Sequence, residues 1–170
     1  MDFKKYIRDI VNFPKQGIVF KDITPLLKNA EAMHSAANSL FNLIQDKKID
    51  KVVGLESRGF LFSPLLAVKL GAGFVPIRKP GKLPSEVIST SFNLEYGIDT
   101  LEIHKDSIAP GDRILLHDDV LATGGTAEAA CKLITDLGGE IVQCNFLIEL
   151  DFLNGREKLS EYTIASLIHY

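Results

Sequence analysis

Apolar residues along the chain fall into short runs separated by polar loops, and the runs alternate between helical and strand-like spacing. Phe3, Tyr6, Ile7, Ile10 and Val11 recur at helical intervals and predict an amphipathic helix over residues 2–11. Residues 12–17, with Pro14 and Gly17, end it. Residues 18–23 are a short apolar stretch before Thr24-Pro25, a cap followed by a first-turn proline. A second helix is expected over residues 31–46, with Ala36, Ala37, Leu40, Phe41 and Ile44 inward. Residues 52–55 then read as a buried strand, 56–59 as a loop and 60–70 as a helix. A third strand covers 74–78 and runs into Lys79-Pro80-Gly81-Lys82-Leu83-Pro84, a basic segment punctuated by proline and glycine.

Residues 85–97 carry β-type side chains with weak alternation, and a strand resumes at 101–103. A turn at 109–112 leads to the apolar run Ile114-Leu115-Leu116, followed by polar residues and a helical run over 127–137. Gly138-Gly139 turns the chain into strands at 141–150 and 162–168. Strands alternating with helices imply an α/β fold with a mostly parallel central sheet flanked by helices, in a single domain covering residues 1–170. Ligands of such sheets gather at the carboxyl ends of the strands. That rule brings loops 56–59, 78–84 and 118–126 to one rim.

The segment from Ile114 to Thr126 is the most informative on that rim. After the apolar run come His117, Asp118, Asp119, Val120 and Leu121, then Ala122-Thr123-Gly124-Gly125-Thr126 and a helix start. Glycines and threonines between a strand and a helix suit a phosphate: backbone N–H groups approach it closely and the helix dipole favours it. The two aspartates repel phosphate but accept hydrogen bonds from the vicinal hydroxyls of a sugar. The segment therefore predicts a sugar phosphate with its diol on Asp118 and Asp119 and its phosphate on residues 122–126. No G-x-x-x-x-G-K-[ST] and no strand-borne G-x-G-x-x-G is present, so nucleoside-triphosphatase and dinucleotide chemistry are not indicated.

Arg58, Lys79 and Lys82 are cations on neighbouring loops, expected to face the aspartates and suited to a second polyanion. A ribose phosphate with pyrophosphate at its anomeric carbon supplies both anions. Displacing that pyrophosphate with a nitrogen nucleophile builds negative charge on the leaving group, which these cations and a Mg²⁺ ion would offset. The sequence offers no protein cage for a metal, so the Mg²⁺ would arrive mainly with the pyrophosphate and water. Val19-Phe20-Lys21 supplies an aromatic face and main-chain groups for a flat heterocycle, with core packing the alternative for Phe20.

Composition limits the remaining choices. A formal net charge of −3 leaves no basic footprint for nucleic acid. The amino terminus is charged throughout, unlike a signal peptide, and the most apolar window, residues 60–68, is too short to span a bilayer. Cys131 and Cys144 have no metal-ligand or redox spacing and are expected as buried, reduced thiols, as in a cytoplasmic protein.

The segment 114–126 resembles the 5-phosphoribosyl-1-pyrophosphate (PRPP) signature of type I phosphoribosyltransferases, with His117 where that family usually has an apolar residue. Residues 17–25, 56–62, 77–84, 94–97, 101–103 and 155–159 resemble, in order and spacing, the blocks of the adenine phosphoribosyltransferase family. The resemblance implies a small N-terminal hood, a mobile lid and a homodimer, and a reaction of adenine with PRPP giving AMP and pyrophosphate in purine salvage. It places Val19 and Lys21 on adenine through their backbones, with Phe20 and Val120 sandwiching the ring. Arg58, Lys79 and Lys82 would meet the pyrophosphate, Asp118 and Asp119 the ribose hydroxyls, and Ala122, Thr123, Gly124, Gly125 and Thr126 the 5′-phosphate. Glu95 and Tyr96 would lie on the lid and act with Arg58 in catalysis, Glu95 assisting proton movement on the purine. Lys21 stands where Arg is usual, and Val120 where Leu is usual. Selectivity for another purine, or a non-catalytic PRPP-sensing regulator, are the alternatives.

Overall fold

A computed structural model describes residues 1–44, 47–93 and 97–170. It divides into two compact units, Met1–Ser39 and Leu40–Tyr170. In the first, a 3₁₀ turn at Phe3–Tyr6 precedes strand β1 (Arg8–Val11), which pairs antiparallel with β2 (Val19–Asp22). The helix expected over residues 2–11 is therefore a turn and a strand. Ile7, Ile10 and Val11 fit a helix by spacing, but β-branched side chains also suit a strand, and the hairpin decides between them. Ile10 pairs with Phe20 and Val11 with Val19. Asn12 (φ 60°) and Gly17 (φ 89°) supply the left-handed turns, and Asn12 Oδ1 accepts the Gly17 N–H at 2.9 Å. Helix α1 (Thr24–Leu27) follows, then α2 (Ala30–Asn42), which opens with the Asn29 side chain accepting the Ala32 N–H at 2.9 Å.

The second unit is built on strands β3 (Lys51–Leu55) and β4 (Gly73–Ile77), joined through helix α3 (Ser63–Leu70). A hairpin of β5 (Val87–Asn93) and β6 (Ile98–His104) comes next, where the sequence shows weak alternation over 85–97 and a strand at 101–103. Strand β7 (Arg113–Leu121), helix α4 (Gly125–Asp136), β8 (Glu140–Glu149) and β9 (Ile164–His169) complete it. Among the described residues the central sheet has the order β4-β3-β7-β8-β9, and every pairing in it is parallel.

From β3 the chain steps outward to β4, whereas from β7 it steps the other way to β8. Right-handed crossovers then put α3 and α4 on opposite faces of the sheet. The direction reverses between β3 and β7, and the crevice beyond the carboxyl ends at such a switch point is where open α/β sheets hold ligands. Alternate residues of β7 divide between the faces. Ile114 and Leu116 join a buried cluster with Ala130, Leu133 and Ile134 of α4, while His117 meets Phe62 edge-on, with ring centroids 6.3 Å apart. Among the described residues no helix is long and apolar enough to cross a membrane.

Candidate active site

The rim at the β3/β7 switch point carries the loops singled out by the sequence. Strand β7 is longer than its apolar run suggests and continues through both aspartates to Leu121. Asp118 and Asp119 are thus strand residues, held by pairing with β8 rather than carried on a loop: Asp118 lies opposite Phe146 and Val120 opposite Ile148. Residues 122–124 form a short bend, and α4 starts at Gly125 behind Gly124, which adopts φ 81° and offers no capping side chain. The first-turn amides of α4 have no side-chain cap and remain available to an anion.

A small cavity of about 60 Å³ lies against this bend, lined by residues 118 and 120–127. That is several times the ~10–15 Å³ a single water needs. Its floor depends on a contact the sequence did not reveal. A Cβ on Gly155 would lie 2.3 Å from the Ala122 carbonyl oxygen, and a Cβ on Gly124 would lie 2.5 Å from the Gly155 carbonyl oxygen. Two glycines remote in sequence are packed backbone to backbone, which fixes the loop's shape. The Asn154-Gly155 dipeptide marks a turn in the sequence, but nothing there shows which loop it supports.

Burial and the charge of Asp119 push the Asp118 carboxyl well above the usual carboxylate range. Burial likewise raises Asp119, and Arg58 opposes the rise. Arg58 Nε lies 2.8 Å from Asp119 Oδ2. The pair is close but off the line of a hydrogen bond, so this buried oxygen has no hydrogen-bond partner. Gly59 makes the approach possible: a Cβ there would stand 2.8 Å from Asp118 Oδ1. The Glu56–Ser57 peptide just before it is cis.

Lys79 and Lys82, expected to face the aspartates, are engaged elsewhere. Lys79 Nζ pairs with Asp99 at the start of β6, and Lys82 Nζ lies 2.5 Å from Glu56 Oε1. Glu56 also accepts from Arg78 Nη2 at 3.2 Å and from the Lys79 N–H at 2.8 Å. Although burial alone would raise the Glu56 carboxyl, these donors lower it to about 2. Glu56 thus ties the basic segment to the β3 loop, a role hidden in sequence because its partners are more than twenty residues away.

In the N-terminal unit, Phe20 is half-buried and packs edge-on against Phe13 at 5.1 Å, while Val11, Phe13, Ile18 and Val19 expose apolar surface. Lys21 Nζ pairs with Asp9 at 2.8 Å. Val120 is half-buried on β7. Glu95 and Tyr96 lie outside the described residues.

His117 is a buried strand histidine. Its Nδ1 lies 2.9 Å from Asn145 Oδ1, and Asn145 Nδ2 donates to the Leu40 carbonyl at 3.2 Å. Burial depresses its pKa to about 4, so it is neutral at pH 7. Cys131 and Cys144 are buried and unbridged as expected, with their sulfurs 3.8 Å apart.

Among the described residues, Glu149, Asp151 and His169 come close enough to share an ion, but Glu149 is already held by Arg156 and by Ser166 Oγ at 2.5 Å. With Arg58 already 2.8 Å from Asp119 Oδ2, the aspartate pair fits the water shell of a hydrated cation arriving with its own phosphate ligands better than a bare ion.

Residues 22–166 match the phosphoribosyl transferase domain. An adenine phosphoribosyltransferase of Flavobacterium johnsoniae is 61% identical over 170 residues, with all of both chains covered. The crystal structure of an adenine phosphoribosyltransferase from Thermoanaerobacter pseudethanolicus superposes with a TM-score of 0.97 at 51% identity, covering 99% of this chain and 98% of that one. The Giardia lamblia enzyme complexed with 9-deazaadenine gives 0.94 at 40% identity, covering 99% and 96%.

Proposed function

This chain belongs to the phosphoribosyltransferase family, and from that premise we propose how its rim performs the reaction. The enzyme transfers 5-phosphoribosyl from PRPP to adenine, giving AMP and pyrophosphate, a reaction of purine salvage. The observation that carries the site assignment is the cavity at residues 122–127, with uncapped helix amides above it and two acceptor-rich aspartates beside it. The 5′-phosphate enters the cavity, and Ala122, Thr123, Gly124, Gly125 and Thr126 hold it. The ribose hydroxyls donate to Asp118 and Asp119; Asp119 Oδ2, paired in charge with Arg58, accepts no hydrogen bond within the chain.

A nitrogen of adenine forms a bond to the anomeric carbon as the bond to the pyrophosphate oxygen breaks. Positive charge develops on the sugar beside the two aspartates, and negative charge on the leaving group beside Arg58, Lys79 and Lys82. Mg²⁺, brought mainly by PRPP, supplies further neutralisation of the pyrophosphate. Val19, Phe20, Lys21 and Val120 are assigned to adenine. The exposed apolar surface of the β1–β2 hairpin supports that reading. Glu95 and Tyr96 complete the catalytic set, Glu95 handling the purine proton. The family match runs across both compact units, which supports their acting as one domain.

The enzyme works as a cytoplasmic homodimer. Leu61, Leu65 and Val68 (82% exposed) recur at helical spacing around α3 and present an apolar face suited to a self-complementary contact. Val68→Glu is expected to convert a species of about 37 kDa, twice the 18.7 kDa chain, to monomer in sedimentation equilibrium. An unchanged mass would remove this face from the interface.

The reaction itself is tested by offering adenine, hypoxanthine, guanine and xanthine separately with PRPP and Mg²⁺. AMP from adenine alone is the expected product. A nucleotide from another base would overturn the Val19-Phe20-Lys21 assignment, and PRPP binding without product from any base would indicate a sensor.

A further inference from the structure

Every cation assigned to the pyrophosphate already has an acidic partner: Arg58 has Asp119, Lys82 has Glu56 and Lys79 has Asp99. The three acids differ in what else holds them. Asp119 belongs to the diol pair. Glu56, with 8% of its side chain exposed, keeps two other donors when Lys82 leaves. Asp99 is part of neither arrangement. It lies opposite Phe92 in the β5–β6 register with 24% of its side chain exposed, and its other oxygen accepts the neighbouring Thr100 N–H at 2.9 Å. Water can replace the ammonium at such a carboxylate at little cost.

The Lys79 backbone, by contrast, is fixed independently of Asp99. Its N–H is held by Glu56, and Arg78 beside it exchanges backbone hydrogen bonds of 2.9 and 2.8 Å with Glu102 of β6. Only the flexible four-carbon stem has to move for the ammonium to leave Asp99.

We infer that Asp99 is a positioning residue that holds and neutralises Lys79 until substrate binds and competes with the pyrophosphate group of PRPP for its ammonium. The inference rests on the reading of Lys79 as a pyrophosphate ligand. Asp99 touches no substrate and acts only through Lys79. The free energy of the pair is subtracted from that of binding, and by linkage a bound pyrophosphate weakens the pair equally. A half-exposed ion pair of this kind corresponds to about a two- to fivefold change in affinity.

The test is calorimetric titration of inorganic pyrophosphate with Mg²⁺ into wild type, Asp99→Asn, Lys79→Gln and the double variant, with steady-state kinetics alongside. Asn preserves shape and the acceptor for Thr100. Asp99→Asn is expected to bind pyrophosphate about two- to fivefold tighter, with a lower KM for PRPP and an unchanged KM for adenine. Lys79→Gln is expected to weaken pyrophosphate binding and to abolish the gain from Asp99→Asn, a coupling that a merely structural role would not produce. Weakening by Lys79→Gln without tightening by Asp99→Asn would overturn the role of Asp99 and keep that of Lys79. No effect of Lys79→Gln would overturn the reading of Lys79 itself, and the inference with it.

Discussion

Gly155→Ala is expected to lower kcat/KM for PRPP by about two orders of magnitude, although residue 155 lies about thirty positions beyond the phosphate loop. The new methyl would stand 2.3 Å from the Ala122 carbonyl oxygen and 3.1 Å from the Gly124 nitrogen. Both are backbone atoms, so no side chain can swing aside. The loop must move, and a displacement near 1 Å in a positioning element costs about 10²-fold in rate. Overpacking should also cost ~1–3 kcal/mol of stability. Gly73→Ala is the matched control. Its methyl would find nothing nearer than 3.6 Å, and kcat/KM should not change. Steady-state kinetics on both variants decide the matter; wild-type kinetics for Gly155→Ala would mean that the loop does not hold the 5′-phosphate.

Asp118→Asn is expected to separate stability from function. Burial and the adjacent Asp119 raise the Asp118 carboxyl, so between its ordinary value of 3.8 and its raised folded value the native state binds more protons than the unfolded one. Stability therefore falls as pH rises through that window, and the penalty is complete above the folded value. Asparagine carries no charge and retains the oxygen that accepts the Asp119 N–H at 2.9 Å. At pH 7.5 the variant should melt above wild type, by about 2–4 °C per kcal/mol of relief, and the difference should vanish towards pH 4. PRPP affinity should move the other way. Losing a hydrogen bond to a charged acceptor costs ~1.5–3 kcal/mol, about 10- to 100-fold in Kd. Melting curves across pH and PRPP titrations of the same preparation test both halves. A lower Tm at pH 7.5, or unaltered PRPP affinity, would remove Asp118 from the diol site.

These two positions also show what the sequence could reveal. The order of apolar run, acid pair, Gly-Thr loop and helix is local, so the strand–bend–helix unit at residues 114–137 is legible unaided, and alternation of strands and helices places loops 56–59 and 78–84 on the same rim. Partners chosen by tertiary packing are not local. Gly155 beneath Ala122, Glu56 beneath the basic segment, and Asp99 against Lys79 depend on chain crossings that no spacing rule encodes. The amino terminus misled for a related reason: Ile7, Ile10 and Val11 satisfy helical and strand patterns alike, and only pairing with residues 19–22 selects the strand. Asp118 and Asp119, expected on a loop, stand on β7, because polar side chains at the end of a parallel strand resemble the start of a loop.

The 5′-phosphate is expected to occupy the cavity at residues 122–127 while the ribose hydroxyls meet Asp118 and Asp119. A crystal structure of the enzyme with AMP tests it most directly. The phosphate should accept hydrogen bonds from backbone N–H groups of the 122–126 loop, with the two ribose hydroxyls donating to the aspartates. A phosphate seated instead among Arg58, Lys79 and Lys82, with the loop cavity holding only water, would contradict the account.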